Sequence, residues 1–424
     1  MPLSKRGTVN IIGAGLAGLS AGVRLATAGR VVVVHEATAF AGGRCRSYFD
    51  AVTGMEIDNG SHLLLSGNHA ALDYARTIGG ADGLVGPDGA QFDFFDLASR
   101  ARWTVRINDG VIPWWLFDKS RRVPDTRFAD YLPLAKIALT SGDRPLGQVM
   151  DCSGTLYQRL VAPLFLAALN IEPLNGSSKL AGALVRETLA AGGKACRPLI
   201  ARDGVGKVFV EPAIAYLRAH GAAVRFEHGL RALKFEGGRV SHLVFAGEEI
   251  ALAANDSVIL AVPAYAAASF LPGLKVPTEY RGIANIHFKV DAWRGKPTMV
   301  GMINATSEWV FTFPGRVAVT ISDGSRLFDE PRAELAARIW REVAAVLDLP
   351  AEPLPPWQIV RERRATFAAT PEENAKRPGA PTQWSNLVLA GDWTATGLPA
   401  TIEGAVRSGN RAADLSGASK QAAA

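Results

Sequence analysis

The first residues in the chain equipped for chemistry are glycines. In "VNIIGAGLAGLSAGVRLATAG", residues 9–29, Gly13, Gly15 and Gly18 follow an apolar run at 9–12 and precede a helical pattern that opens at Leu19. The first glycine permits a tight turn, the second lets backbone approach a pyrophosphate, and the third lets helix pack closely on strand. A pyrophosphate set there meets a helix N-terminus, whose free N–H groups and dipole favour negative charge. A second strand, 30–34, leads to Glu36, where a carboxylate reaches a ribose hydroxyl and repels a 2′-phosphate. The ligand class narrows to FAD or NAD.

Two further stretches decide between them. "AFAGGRCRSYFD" carries Gly42, Gly43 and Arg44, a close backbone approach followed by a fixed cation suited to a second pyrophosphate contact. Near the other end, "NLVLAGDWTATGLPATIEGAVRSGNRAA" sets a strand at 387–390 before Gly391 and Asp392. Asp392 offers a carboxylate to a polyol chain, and a helix opening near Thr401 and Ile402 offers N–H groups to an electron-rich ring edge or a phosphate. An NAD enzyme has no use for this second half, whereas a cofactor with a ribityl chain and a flavin ring does. The expected cofactor is FAD. No second GxGxxG accompanies it, so a separate reductant for the flavin is expected.

The elements that must position these residues follow from length and patterning. A chain of 424 residues, 48% apolar and 20% charged, reads as a globular enzyme of two interleaved domains. Cys45, Cys152 and Cys196 show no CxxC or CxxH pairing, so neither a disulfide framework nor a metal site is expected. The net charge of +6 comes without RNA-binding aromatic motifs or zinc-finger spacing, so nucleic acid is not an expected partner. No run of 18 uninterrupted apolar residues appears, and "MPLSKRGTVNII" is too short and polar for a secretory signal. A cytoplasmic protein is expected.

Between the two ends, "GTLYQRLVAPLFLAALNIEP" opens a helical pattern over 154–189, apolar and poor in charge, fit to wall an apolar chamber. A helix is predicted over 209–220, strands at 223–226, 230–235 and 256–263, and short alternating strands over 280–325. "ELAARIWREVAAVLDL" reads as an amphipathic helix, "WQIVRERRATFAATP" as a strand, and the tail after Asp414 as disordered. The cluster "GVIPWWLFDKSRRV" admits two readings. Trp114, Trp115 and Phe117 with Lys119, Arg121 and Arg122 suit a membrane interface, or a buried aromatic core with a basic exit loop.

The fingerprint, Glu36, the GGR turn and the C-terminal GD segment together resemble the FAD-dependent amine oxidase and carotenoid desaturase superfamily. "DNGSHLLLSGN", "GTLYQRLVAPLFLAALNIEP", "PAIAYLRAHGAAV" and "RERRATFAATP" are similar to its squalene-associated members, the hydroxysqualene dehydroxylases of bacterial hopanoid synthesis, over residues 9 to about 414. The resemblance implies an α/β fold: a Rossmann-like FAD-binding domain of the amine oxidase or glutathione reductase type, from 1–75, 200–265 and 380–424. An α+β substrate domain, 76–199 and 266–379, is interleaved with it. The implied reaction is reductive dehydroxylation of hydroxysqualene, or a related C30 isoprenoid, to squalene by hydride from reduced FAD, which is expected to bind non-covalently because Cys45, Cys152 and Cys196 lie in no flavinylation context.

The resemblance adds Leu16, Ala17, Ala37, Gly60, Ser61, His62 and Leu230 to the expected cofactor contacts and runs the segment around Gly60 past the flavin's reactive edge. His62 is then a candidate general acid for the departing hydroxyl, its bland alternative being a histidine that bonds nearby backbone. Asn170 is a candidate to aim its amide at the substrate hydroxyl, or else a helix cap. Asp58 reads as structural, Lys289 as a weak candidate to hold a water near the flavin, and Arg363 and Arg364 as a solvated strand end. Peripheral membrane contact near Trp114 is expected from the insolubility of a C30 substrate. A phytoene-type desaturase, an amine or protoporphyrinogen oxidase and a flavin-free lipid-binding module remain as alternatives.

Overall fold

In the computed structural model, which describes residues 7–290 and 297–418, five short strands run parallel. Thr8–Ile12 pairs on one side with Val31–His35 and on the other with Ser257–Leu260, and Ala223–Arg225 and Leu387–Leu389 form the edges. The winding therefore reverses between Thr8–Ile12 and Ser257–Leu260. In an open parallel sheet the crevice beyond the carboxyl ends at such a reversal is where ligands bind. Covered on both faces, these strands read as nearly unbroken Val, Ile and Leu, and Val9, Ile11, Val34, Val258, Ile259 and Leu260 are all buried.

Leu16–Thr27 covers one face of this sheet and packs against the C-terminal helix Ile402–Ala418. The two helices approach so closely that a Cβ on Gly409 would lie 2.2 Å from the Ala17 carbonyl oxygen. Leu16, Leu19, Val23, Ile402, Val406 and Ala413 fill the seam, each large apolar side chain contributing about 1.5–3 kcal/mol relative to exposure. Because this helix stays docked to Ala418, with Arg24 bonded to Asp414 at 2.7 Å, the tail expected to be disordered after Asp414 is helical for at least four residues more. Residues 419–424 lie outside the described part.

A second sheet carries seven strands in the order Trp357–Phe367, Tyr280–Val290, Gly315–Ile321, Trp309–Phe313, Thr298–Ile303, Ala90–Asp96, Arg102–Ile107. All neighbours are antiparallel except Thr298–Ile303 with Ala90–Asp96. Alternation along each strand sends side chains to opposite faces. Val310, Val319, Ile286 and Phe288 meet the helix Arg332–Leu347. Trp309, Phe311, Phe313 and Phe94 join the cluster that holds Leu160, Phe165, Leu169 and Leu180 from the 154–187 helices. Over 280–321 the strands Thr298–Ile303, Trp309–Phe313 and Gly315–Ile321 are short as expected, whereas Tyr280–Val290 runs for 11 residues.

The helical pattern expected over 154–189 breaks in the middle. A helix from Gly154 passes through a π-helical turn at Tyr157–Val161 and ends at Leu169, and a second runs Ser178–Glu187. Pro163 has no N–H to give to the preceding turn, and a widened turn is one way a helix absorbs that loss. Asn170, in the left-handed conformation at φ 53° and ψ 39°, ends the first helix. Among the described residues no helix is long and apolar enough to cross a membrane.

Candidate cofactor and active site

The glycine turn sits at the reversal of the parallel sheet. Gly13 has φ +107°, and a Cβ there would lie 2.5 Å from the carbonyl oxygen of Ala261, the residue that follows Ser257–Leu260. A Cβ on Gly18 would lie 2.0 Å from the Gly13 oxygen, whereas one on Gly15 meets nothing within 4 Å. Gly13 and Gly18 thus close the turn, and Gly15 opens it on one side. Glu36 is held across from it, its Oε2 accepting the Ala14 N–H at 2.9 Å and its Oε1 the Thr38 N–H at 2.9 Å. His228 donates its N–H to the Glu36 carbonyl at 2.8 Å, and a Cβ on Gly229 would lie 3.2 Å from Ala37. The segment leading to buried Leu230 is thereby drawn against Glu36 and Ala37.

Gly42 donates to the Ala14 carbonyl at 2.8 Å, and a Cβ on Gly43 would stand 3.6 Å from the Gly15 Cα, so the GGR turn borders the open side of Gly15. Arg44 gives Nη2 to Asp392 Oδ1 at 2.6 Å and Nη1 to the Ala365 carbonyl at 2.6 Å. Burial opposes its charge, but Asp392 outweighs that and raises its pKa. Both residues expected to face the cofactor therefore also hold each other. The loop after Asp392 is clamped by a residue the sequence did not single out: buried Arg377 donates to the Asp392 carbonyl at 3.0 Å and the Thr394 carbonyl at 2.5 Å. Thr401 caps the last helix by accepting the Gly404 N–H at 3.0 Å, and the N–H groups of its first turn point out along the axis.

The segment at 60–62 lies between the two sheets. Asn285, on the seven-stranded sheet, donates to the Asn59 carbonyl at 3.2 Å, and a Cβ on Gly60 would press on that amide at 3.2 Å. His62 Nδ1 is 2.7 Å from the Gly60 carbonyl, an acceptor that requires a proton on Nδ1, and this directs Nε2 at Cys45 Sγ, 3.7 Å away. Burial alone lowers the imidazole pKa, but the Cys45 sulfur, Asp58 and the Gly60 carbonyl reverse this and hold it at about 9. Asp58 is structural as expected, its Oδ1 accepting from Ser47 Oγ at 2.6 Å and Val205 N at 3.0 Å. Lys289 Nζ lies 3.9 Å from the Cβ position of Gly54, in the hairpin turn that joins Ser47–Asp50 to Met55–Asp58.

Asn170 is not brought into this group by its polar atoms. Its Nδ2 donates to Thr366 Oγ1 at 2.9 Å and the Arg281 carbonyl at 3.3 Å, and its Oδ1 accepts the Asp323 N–H at 2.7 Å. The amide that was a candidate to touch substrate is spent on the scaffold. The tryptophan pair also divides. Trp115 is buried, edge-on to Tyr131 at 5.4 Å, while Trp114 is exposed. Arg363 and Arg364 are exposed as expected.

Two observations test whether a flavin dinucleotide fits. The Cβ face of Gly15 is open beside the GGR turn, the clearance a pyrophosphate requires. Ser61 Oγ, in the segment next to His62, is buried without a hydrogen-bond partner among the described residues, and a buried hydroxyl left so is costly unless a ligand satisfies it. The residues present fit the group. Besides Arg377, Glu403 escaped sequence reading: buried, it accepts the Ala71 N–H at 2.8 Å and ties the C-terminal helix to the N-terminus of His69–Thr77. Its only signal was an acid in the first turn of a helix.

Residues 16–415 match the family described as flavin containing amine oxidoreductase. A hydroxysqualene dehydroxylase of Rhodopseudomonas palustris is 61% identical over 409 residues, 96% of this chain and 98% of that protein. One of Sinorhizobium fredii is 57% identical over 96% of this chain and 97% of that protein. The solved structure of cyclohexylamine oxidase from Brevibacterium oxydans IH-35A superposes with a TM-score of 0.69 at 16% identity, covering 97% of this chain and 99% of that one, which establishes the fold. From the reversal in the parallel sheet to its full-length relatives, the chain belongs to the flavin containing amine oxidoreductase family.

Proposed function

We propose that this chain is an FAD-dependent oxidoreductase that reductively removes the hydroxyl group of hydroxysqualene to give squalene, a step toward hopanoids. The observation that carries the reading is full-length likeness to two proteins named hydroxysqualene dehydroxylase. In this reading 1–75, 200–265 and 380–424 form the FAD-binding unit, and 76–199 and 266–379 the substrate unit. Gly13, Gly15, Leu16, Ala17, Gly18, Glu36, Ala37, Gly43, Arg44, Gly60, Ser61, Leu230, Gly391, Asp392, Thr401 and Ile402 line the cofactor.

Reduced FAD, when bound, supplies a hydride to the carbon that loses oxygen. The chain must supply one proton, so that the hydroxyl leaves as water and a C–H bond replaces the C–O bond. We assign that proton to His62. Its Nδ1–H is anchored on Gly60, while the Nε2 contact with Cys45 Sγ is long at 3.7 Å, so in the charged ring Nε2–H is the proton a substrate hydroxyl draws away. A pKa near 9 keeps the ring charged at neutral pH. Asn170 serves the scaffold. The apolar helices over 154–187 exclude water from the reacting carbon.

Electrons reach the flavin from a separate reductant, and the enzyme works in the cytoplasm against the membrane that dissolves its substrate. Anaerobically photoreduced protein mixed with hydroxysqualene tests the reading. Expected are flavin reoxidation without oxygen and squalene in equal amount. Reduced flavin that stays reduced, with bleaching of the oxidised protein by a polyene precursor, assigns a desaturase instead.

A further inference from the structure

Between the strand Arg102–Ile107 and the helix Ser178–Glu187 the chain leaves an unusual set of apolar side chains in water. Trp114 is 64% exposed and Phe117 61%, on one short helical turn, Trp114–Phe117. Their rings lie 6.1 Å apart, and Phe117 stacks on exposed Phe128 at 4.9 Å, so the three form one continuous aromatic surface. Val111 and Ile112 precede them, exposed, and Leu132 and Leu139 on and beside the helix Leu132–Ala138 are exposed as well. Buried Trp115 and Leu116 anchor the turn from beneath, so the outer rings are presented by a fixed element. A patch of this kind on a water-soluble fold marks a docking surface.

Charge chooses the occupant. Residues 111–139 hold five cations against three acids: Asp118 is taken by Arg121 at 3.6 Å and Asp125 by Arg159 at 3.2 Å, while Asp130 accepts the Arg127 backbone N–H at 2.7 Å. Lys119, Arg127 and Lys136 carry no ion pair among the described residues. Aromatic rings bordered by unpaired cations match the headgroup region of an anionic bilayer, where tryptophan settles at the interface and each cation near the surface adds about 1 kcal/mol. A second copy suits the surface less, because a two-fold contact sets like patches together and brings these cations against one another. A shallow groove of roughly 730 Å³, lined by Leu132, Pro133, Lys136 and Met150 together with the polar Gln148 and Asp151, opens beside the patch.

We infer that residues 111–139 dock this protein on an anionic lipid bilayer, Trp114 and Phe117 entering the headgroup layer. The inference deepens the proposed function and rests on its substrate being dissolved in the bilayer.

FAD-loaded protein is pelleted with vesicles of phosphatidylglycerol and phosphatidylcholine. Trp114→Ser with Phe117→Ser is expected to lower the bound fraction about tenfold or more, since the main apolar contact is lost. Lys119→Glu with Lys136→Glu removes the preference for phosphatidylglycerol. Wild-type protein that does not pellet, or an aromatic double variant that pellets equally, overturns the inference. So does a wild-type dimer that this variant splits into monomers. A second arm supplies hydroxysqualene in detergent micelles. The double variant is expected to match wild type there and to fall behind only on vesicle-borne substrate. Wild type inactive in micelles refutes the substrate reading, while the pelleting result still judges the docking surface.

Discussion

Arg44 and Asp392 stand 348 positions apart and are joined by a 2.6 Å bond between Nη2 and Oδ1, with Asp392 buried and the Arg44 side chain 42% exposed. This pair closes the two ends of the chain around the turn at Gly15. Arg44→Ala leaves a buried carboxylate without its partner, a loss of about 1–3 kcal/mol, and frees the GGR turn from the C-terminal segment. Expected are a lower melting temperature and flavin lost on gel filtration. Lysine at the same position restores charge but not the fork that also reaches the Ala365 carbonyl, and should fall between. Arg44→Ala protein that keeps its flavin and its melting temperature would show the pair to be incidental.

Two glycines three residues apart, Gly15 and Gly18, separate folding from cofactor binding. Gly18→Ala drives a methyl to within 2.0 Å of the Gly13 oxygen, so the turn must shift and the apoprotein melts lower. Gly15→Ala meets no protein atom within 4 Å. Its apoprotein should melt like wild type while FAD titration shows weakened binding, because the methyl stands where the pyrophosphate approaches. Unchanged FAD affinity in Gly15→Ala would remove the pyrophosphate from this face.

The parts of the site legible in the sequence are those whose geometry is local. A glycine turn after a strand, an acid at the end of the next strand and a Gly-Asp pair before a helix are specified within a few residues, and the parallel sheet follows from strands that are apolar on both faces. Arg377, Glu403 and Cys45 were not legible, because their partners are set by how distant segments meet: Arg377 by the return of the 392–396 loop, Glu403 by the helix at His69. Adjacent tryptophans point to opposite sides of one turn, so composition alone could not say that Trp115 is core and Trp114 surface. The cap at Asn170 was legible as one of two readings, and its left-handed conformation, with partners on Thr366, Arg281 and Asp323, decides for it over the substrate-facing one.

Those partners set the expectation for Asn170. Asn170→Ala forfeits bonds to Thr366, Arg281 and Asp323 and puts alanine at φ 53°, at a combined cost of about 2–4 kcal/mol. The variant should melt much earlier, yet folded protein assayed at low temperature should keep KM and turnover within a few-fold. Turnover lost a hundredfold at an unchanged melting temperature would return the amide to the substrate.

His62 and Cys45 carry the last prediction. An imidazole raised from 6.5 to about 9 in the folded protein contributes stability that is fully present below pH 6.5 and is lost as pH rises through 9. The stability gap between wild type and His62→Gln should therefore close over that window in chemical denaturation. The same proton serves the reaction, so the rate of flavin reoxidation by hydroxysqualene should fall above pH 9, and His62→Ala should slow it by roughly 100- to 10,000-fold with flavin still bound. Cys45→Ala takes away the strongest of the influences that raise the imidazole, leaving only Asp58 and the Gly60 carbonyl against burial, so the alkaline limb should move toward neutral pH. A general acid elsewhere predicts that neither variant moves this limb, and a His62→Ala enzyme with the wild-type pH profile would end the assignment.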